Sequence, residues 1–257
     1  MHIRWHLFLP CVLIGLMHTG TPAVAQSVAA DYTPVTQRML VDAPPEDWLM
    51  WRRTYGHWGH SPLDQINTSN VGGLRLAWAW TMGQGRQETT PLVHDGIMFL
   101  VQACDFVEAL DVRDGSRLWQ YRRDQVEQPA ALACANRSGA LYQDKLLIAT
   151  HDAHLVALNA QTGDVEWDVQ VGDWSIGQHY SGGPMIIKGR VVAGMSGCYH
   201  LNTRCWVSAH DIETGAEVWR TYTIPAPGNS AMTAGAIFPK RTDGAVRPGI
   251  LQVTTRN

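Results

Sequence analysis

Short runs of alternating apolar and polar residues dominate the middle of the chain, and turn-forming residues separate them. Residues 74–80 read LRLAWAW, with Leu or Trp at every second position. This spacing predicts a strand, because successive side chains of a strand point to opposite faces. Residues 91–101, PLVHDGIMFLV, predict a hairpin whose turn contains the only Asp-Gly pair of that run. The pattern therefore predicts a chain built from short antiparallel strands.

One eleven-residue unit occurs three times, as ALDVRDGSRLW (109–119), ALNAQTGDVEW (157–167) and AHDIETGAEVW (209–219). Each copy has Asp or Asn at its third position, Gly at its seventh and Trp at its last. Glycine accepts a positive φ, and the Asp or Asn side chain can bond forward into the turn. The terminal Trp can pack between neighbouring units and still use its N–H. Three unrelated hairpins are the alternative, which eleven-residue agreement at regular spacing disfavours.

The terminal Trp residues of the three units lie 48 and 52 positions apart. A repeat of this length with a turn at its centre is typical of β-propeller blades. We therefore predict an all-β chain of four-stranded antiparallel blades, with a partial propeller of about three blades over residues 74–224. Closed propellers have four to eight blades, so the array is expected to be incomplete. Residues 225–257 lose the pattern, and we interpret them as an aberrant or unassigned tail of a fragment.

The first 25 residues have the features of a cleavable signal peptide. A positively charged start is followed by the apolar segment 7–17 and by Ala23-Val24-Ala25, which predicts cleavage after Ala25 and export to the periplasm. The apolar segment is too short to span a membrane, and no stable membrane insertion is expected. Residues 26–73 are expected to form an extended amino-terminal arm and lead-in. The net charge of −3 gives no indication of nucleic-acid binding.

Four cysteines remain after the signal peptide: Cys104, Cys134, Cys198 and Cys205. Cys198 and Cys205 flank a six-residue loop. In an oxidising compartment this favours a local disulfide between them. Free buried thiols are the alternative. A metal site is the third and least favoured interpretation, because the sequence has no CxxC pair to support it.

The segments SPLDQINTSNVGGLRLAW and RQETTPLVHDGIMF, followed by the three Trp units, resemble the amino-terminal part of the quinoprotein alcohol dehydrogenases. The resemblance runs from about Asp47 to Gly228. It implies part of an eight-bladed periplasmic propeller that binds pyrroloquinoline quinone (PQQ) and a calcium ion and oxidises small alcohols. It also implies a cytochrome c as electron acceptor.

The resemblance carries cofactor contacts onto individual residues. The expected cofactor-binding set is Glu88, Cys134, Arg137 of the Asn136-Arg137 pair, Ser181, Ser196 and Gly197. The fork of an Arg guanidinium suits a quinone tricarboxylate. The alternative is that Glu88 and Arg137 are solvated charges, and that the serines are turn residues.

Three departures limit what the resemblance implies. Cys134 is followed by Ala135, so the disulfide between adjacent cysteines that often covers the quinone in the family cannot form. Tyr199 and His200 occupy the position of the family's calcium-binding Glu, so no metal ligand is assigned and calcium is doubtful. The chain also ends before the family's catalytic base, so no catalytic residue is assigned.

Three functional hypotheses follow. The first is an amino-terminal portion of an alcohol dehydrogenase-like protein that is inactive alone. The second is a non-catalytic periplasmic propeller scaffold resembling outer-membrane assembly proteins. The third is a divergent family member that needs further blades or a partner chain to complete the ring.

Overall fold

The computed structural model of the chain describes residues 31–123, 134–198 and 204–223. The predicted signal peptide, the tail after residue 224, and Tyr199 and His200 lie outside these residues. In the described part, no helix is long and apolar enough to cross a membrane.

Three four-stranded antiparallel sheets, here called blades 1 to 3, make up the described structure, and each has its strands in sequence order. This confirms the predicted all-β, incomplete propeller. The strands of blade 1 are β1 (Leu92–His94), β2 (Ile97–Val101), β3 (Phe106–Asp111) and β4 (Arg117–Arg122). Those of blade 2 are β5 (Ala140–Tyr142), β6 (Lys145–Ala149), β7 (His154–Asn159) and β8 (Val165–Gln170). Those of blade 3 are β9 (Met185–Ile187), β10 (Arg190–Gly194), β11 (Trp206–Asp211) and β12 (Glu217–Tyr222).

The repeated unit is the β3–β4 hairpin of blade 1 and its equivalents in blades 2 and 3. In blade 2, the Asn159 side chain accepts a bond from the Gln161 N–H at 3.0 Å. The Asn159 carbonyl accepts one from Gly163 N at 2.8 Å. A register shift follows Ala157, which pairs directly with Trp167. The other two hairpins show the same register shift, so sequence identity at these positions reflects one local geometry.

The first two Trp residues of this series each pack onto the turn of the following blade. Trp119 Nε1 donates to the Ala160 carbonyl at 2.9 Å, and Trp167 Nε1 donates to Ile212 at 3.0 Å. The turn glycine leaves room for the ring, because a Cβ on Gly163 would lie 2.5 Å from the Trp119 indole. The predicted packing of Trp between blades is therefore confirmed. Trp219 of blade 3 stays 45% exposed, whereas Trp119 is 8% exposed.

Residues 74–80 form no strand in the described structure, so the strand predicted there is wrong. The alternation has a different cause. Trp78 packs against the turn of blade 1 and donates to the Val112 carbonyl at 3.0 Å, as the later Trp residues do on their turns. Leu74 and Leu76 are 55% and 83% exposed, with no neighbouring strand among the described residues. Blade 1 takes its four strands from Leu92–Arg122 instead.

The lead-in is exposed over residues 58–73 but packed against the blades over residues 32–50. It contains the short helix α1 (Gln37–Val41), and its Leu40 is fully buried. Isolated bridges join Trp48 to Val93 of blade 1 and Met50 to Ala140 of blade 2. The lead-in thus crosses both blades and contributes to a shared core.

Candidate functional site

Three of the residues expected to bind cofactor lie together. Arg137 Nη2 lies 2.6 Å from Glu88 Oε2, and Arg137 Nη1 donates to the Ser181 carbonyl at 2.7 Å. We call Glu88, Arg137 and Ser181 the arginine cluster. The Arg137 side chain is 44% exposed and the Glu88 side chain 20%. An external anion can therefore reach the guanidinium.

The residues of the arginine cluster come from the segments just before the first strand of each blade. Glu88, Arg137 and Ser181 stand a few residues before β1, β5 and β9, the first strands of blades 1, 2 and 3. Equivalent positions before equivalent strands lie at the same edge of the array. A backbone bond from Thr90 N to the Arg137 carbonyl, 2.8 Å long, fixes the first two segments together.

A second cation, which sequence reasoning missed, joins the cluster. Arg86 Nε lies 2.7 Å from Glu88 Oε1. Two guanidinium groups thus share one carboxylate, and the local charge is positive. The sequence signal was the RQE spacing, but charges two residues apart meet only in a suitable backbone conformation.

Asn136, the residue before Arg137, is fully buried. Its Nδ2 donates to Asp105 Oδ1 at 3.1 Å and to the Ala149 carbonyl at 3.0 Å. Its Oδ1 is buried without a hydrogen-bond partner. An unpaired buried acceptor costs free energy, so this atom can gain by bonding to a ligand or a water.

The same corner holds two titratable groups with shifted pKa values. Burial raises the pKa of Asp105 to about 6, against the opposing effect of the bonds from the His151 N–H and Asn136. Burial, followed by the neighbouring His179, lowers the pKa of His151 to about 4. The His151 and His179 rings lie 4.9 Å apart, and both nitrogens of His151 are buried without a partner. At neutral pH this corner holds a neutral His151.

Ser196 and Gly197 lie beside His179 rather than in the arginine cluster. Ser196 N donates to the His179 carbonyl at 2.9 Å. Gly197 has φ +82°, and a Cβ there would lie 1.8 Å from the Gly177 carbonyl oxygen. Packing alone thus requires glycine at position 197, and no described contact joins this pair to Arg137.

The predicted disulfide Cys198–Cys205 is present, with its Cα atoms 5.6 Å apart. A second disulfide joins Cys104 and Cys134, with Cα atoms 4.8 Å apart. The alternative of free thiols is wrong for all four residues. Cys134, expected beside the cofactor, is bonded to a cysteine 30 positions earlier and lies three residues before Arg137. Sequence reasoning missed this pairing because no local spacing indicates it.

The donor set of the arginine cluster fits a carboxylate-bearing ligand better than a metal ion. The cluster offers an accessible guanidinium and a net positive charge, which suit the acidic groups of PQQ. Among the described residues, no group of three or more His, Cys, Asp or Glu side chains is placed to hold a metal ion.

The three blades agree with the comparison with known proteins. Residues 48–234 match the PQQ family model described as "Glucose/ethanol/alcohol dehydrogenase, beta-propeller domain". The chain belongs to this family of quinoprotein alcohol dehydrogenases and corresponds to its amino-terminal part.

Individual relatives and solved structures support this family assignment. The chain is 36% identical to the quinohemoprotein alcohol dehydrogenase ADH-IIG of Pseudomonas putida, over 83% of this chain and 30% of the relative. It is 38% identical to the dehydrogenase subunit of an alcohol dehydrogenase (quinone) of Acetobacter aceti, over 83% of this chain and 31% of that protein. The solved structure of the Pseudomonas putida enzyme gives a TM-score of 0.68 at 34% identity, over 76% of this chain and 29% of that one. A europium-containing methanol dehydrogenase gives 0.65 at 34% identity, over 70% of this chain and 32% of that one.

The chain spans about 30% of the length of the curated relatives it matches.

Proposed function

We propose that this chain is the amino-terminal portion of a periplasmic quinoprotein alcohol dehydrogenase-like protein and supplies the carboxylate-binding part of its PQQ site. The observation that carries the proposal is the arginine cluster. The segments that precede the first strands of the three blades place Glu88, Arg137 and Ser181 in contact. A chance group of solvated surface charges has no reason to converge in this way.

Each residue has a role in this proposal. Arg137 pairs with a carboxylate of the quinone through its planar fork, because charge-assisted bidentate bonds are strong and directional. Glu88 orients that guanidinium. The backbone carbonyl of Ser181 accepts the bond from Arg137. The Ser181 hydroxyl is then the group that donates to the ligand. Ser196, Gly197 and Cys134 belong to the expected set through the resemblance alone, and no described contact joins Ser196 or Gly197 to Arg137.

When bound, PQQ supplies the acceptor for the hydride removed from a small alcohol. The described residues of this chain bind and orient, and they include no assigned base. We therefore propose that the chain alone does not catalyse the oxidation of alcohols. In the whole protein, electrons pass to a cytochrome c, and the signal peptide directs export to the periplasm and is cleaved after Ala25. Calcium binding is not assigned to any described residue.

The arginine cluster favours this proposal over a non-catalytic scaffold, which has no use for an accessible cation pair around one carboxylate. Membership of the dehydrogenase family supports the same choice.

Ligand chemistry tests the proposal. Equilibrium dialysis of the chain against PQQ and against its trimethyl ester separates recognition of carboxylates from recognition of the ring. We expect saturable binding of PQQ and an ester affinity lower by roughly tenfold or more, because a hydrogen bond to a charged group contributes about 1.5–3 kcal/mol. Equal affinity for the two compounds, or no saturable binding of PQQ, would overturn the proposal.

A further inference from the structure

The Cys104–Cys134 disulfide connects two blades at the arginine cluster. Cys104 lies in the corner between β2 and β3 of blade 1. Cys134 lies in the segment that leads into β5 of blade 2, three residues before Arg137. The bond therefore closes a covalent link between blade 1 and the backbone that carries the cluster's central cation.

The corner of blade 1 is itself held in an uncommon conformation. Cys104 and Asp105 have φ values of +58° and +56°, in the left-handed region that residues other than glycine rarely adopt. The buried Asp105 carboxylate accepts bonds from Asn136 Nδ2 at 3.1 Å and from His151 N at 2.7 Å. Such a backbone persists only where its surroundings fix it, and here both the disulfide and Asp105 fix it to blade 2.

Residues 134–137, which end at Arg137, are thus connected to the blade 1 side of the structure at three points. The first is covalent, at Cys134. The second is the bond between Asn136 and Asp105. The third is the bond from Thr90 N to the Arg137 carbonyl at 2.8 Å. Beyond these three connections, the Arg137 guanidinium extends to Glu88.

We propose that the Cys104–Cys134 disulfide is a positioning element that holds the Arg137 backbone against blade 1, so that binding of a quinone tricarboxylate depends on the oxidised bridge. This inference rests on the proposed function for its ligand, but the effect on the backbone is independent of any ligand. The physical reason is that breaking the link returns conformational freedom to the segment before Arg137.

Both cysteines are partly exposed, so a small reductant reaches them. A dithiol such as dithiothreitol transfers two electrons and two protons to the bridge. Two cysteine thiols form as the S–S bond breaks, and the dithiol becomes a cyclic disulfide.

The test measures amide hydrogen exchange by NMR on the full chain, comparing wild type with the Cys104→Ser/Cys134→Ser variant and with dithiol-reduced wild type. We expect the Thr90 amide, which bonds to the Arg137 carbonyl, to exchange roughly tenfold faster without the bridge, because the covalent link no longer restrains local opening. The amides of β10 and β11 in blade 3 should keep their protection. PQQ affinity, by dialysis, should fall severalfold in the same samples.

The matched control is Cys198→Ser/Cys205→Ser, which removes the other disulfide and should leave Thr90 exchange unchanged. Thr90 exchange within twofold of the oxidised wild type in both bridge-free samples overturns the inference. So does a loss of protection throughout blade 3, since the bridge then supports the whole fold rather than Arg137. If wild type does not bind PQQ at all, the proposed function fails, while Thr90 exchange still decides the role of the bridge.

Discussion

Asp105 and His151 lie in one buried corner, but their protonation has opposite effects on stability. The pKa of Asp105 is raised to about 6, mainly by burial, so the folded state holds its proton more tightly than the unfolded state. Its contribution is fully present below the ordinary pKa near 3.8 and is lost as the pH rises through 6. The pKa of His151 is lowered to about 4, also mainly by burial, so stability is lost as the pH falls from 6.5 through 4.

Two variants separate these effects. As the pH falls from 7 to 4, the free energy of unfolding of wild type should rise relative to Asp105→Asn by about 3 kcal/mol at most, since one pKa unit corresponds to about 1.4 kcal/mol. Relative to His151→Leu, wild type should instead become less stable over the same range. Urea unfolding at each pH measures both differences. Parallel pH profiles for wild type and Asp105→Asn would contradict the assigned shift.

The sequence motifs identified three residues that lie in contact, but not the connections around them. Glu88, Arg137 and Ser181 were identified through motifs that resemble the family's, and the structure brings them into contact. Arg86 and the Cys104–Cys134 bond were missed because both depend on how separate segments meet in space. Gly197 shows the reverse problem, since contact with the Gly177 carbonyl explains its glycine without any cofactor.

At the scale of elements, the Trp hairpin carries most of the prediction. Its turn residues act locally, so the Asx side chain, the glycine and the register are fixed within eleven residues. Residues 74–80 show the limit of the pattern. Alternation predicted a strand, but a strand also needs a neighbour, and the described residues provide none. Trp78 instead uses the packing contact that Trp119 and Trp167 make.

Two equivalent Trp residues give a matched test of that packing. Trp119 is 8% exposed and bonds to the turn of blade 2, whereas Trp219 is 45% exposed. We expect Trp119→Ala to lower the free energy of unfolding by about 3–5 kcal/mol, as for other buried aromatic truncations. Trp219→Ala should cost about 1 kcal/mol or less, because part of its ring is already in water. Chemical denaturation of both variants checks this, and equal costs would count against the docking role.

At the scale of the whole molecule, the blades are joined by charges as well as by Trp rings. Arg123 at the end of blade 1 pairs with Asp152 and Asp168 of blade 2, each at 2.7 Å. Lys145 of blade 2 lies 3.5 Å from Glu213 in the turn of blade 3. The described chain is thus a continuous array of three blades, and it corresponds to about 30% of the length of its relatives.

This size leads to a prediction about activity. Reconstituted with PQQ and calcium and supplied with short alcohols, the chain alone should not reduce an artificial electron-acceptor dye above the rate of free PQQ. The reason is that the described residues, in the proposed function, position a ligand but include no assigned base to take the alcohol proton. Sustained turnover that depends on both the chain and the alcohol would show that the catalytic groups are present in it.

The most direct test of the account concerns Arg137 itself. PQQ is titrated at pH 7 into wild type, Arg137→Met and the control Arg75→Met, whose exposed guanidinium bonds only to the neighbouring Leu74 carbonyl among the described contacts. The quenching of tryptophan fluorescence reports binding. The account predicts that Arg137→Met weakens binding by roughly tenfold or more while Arg75→Met binds like wild type, because a charge-assisted pair contributes about 1.5–3 kcal/mol. Equal affinities for wild type and Arg137→Met would contradict it.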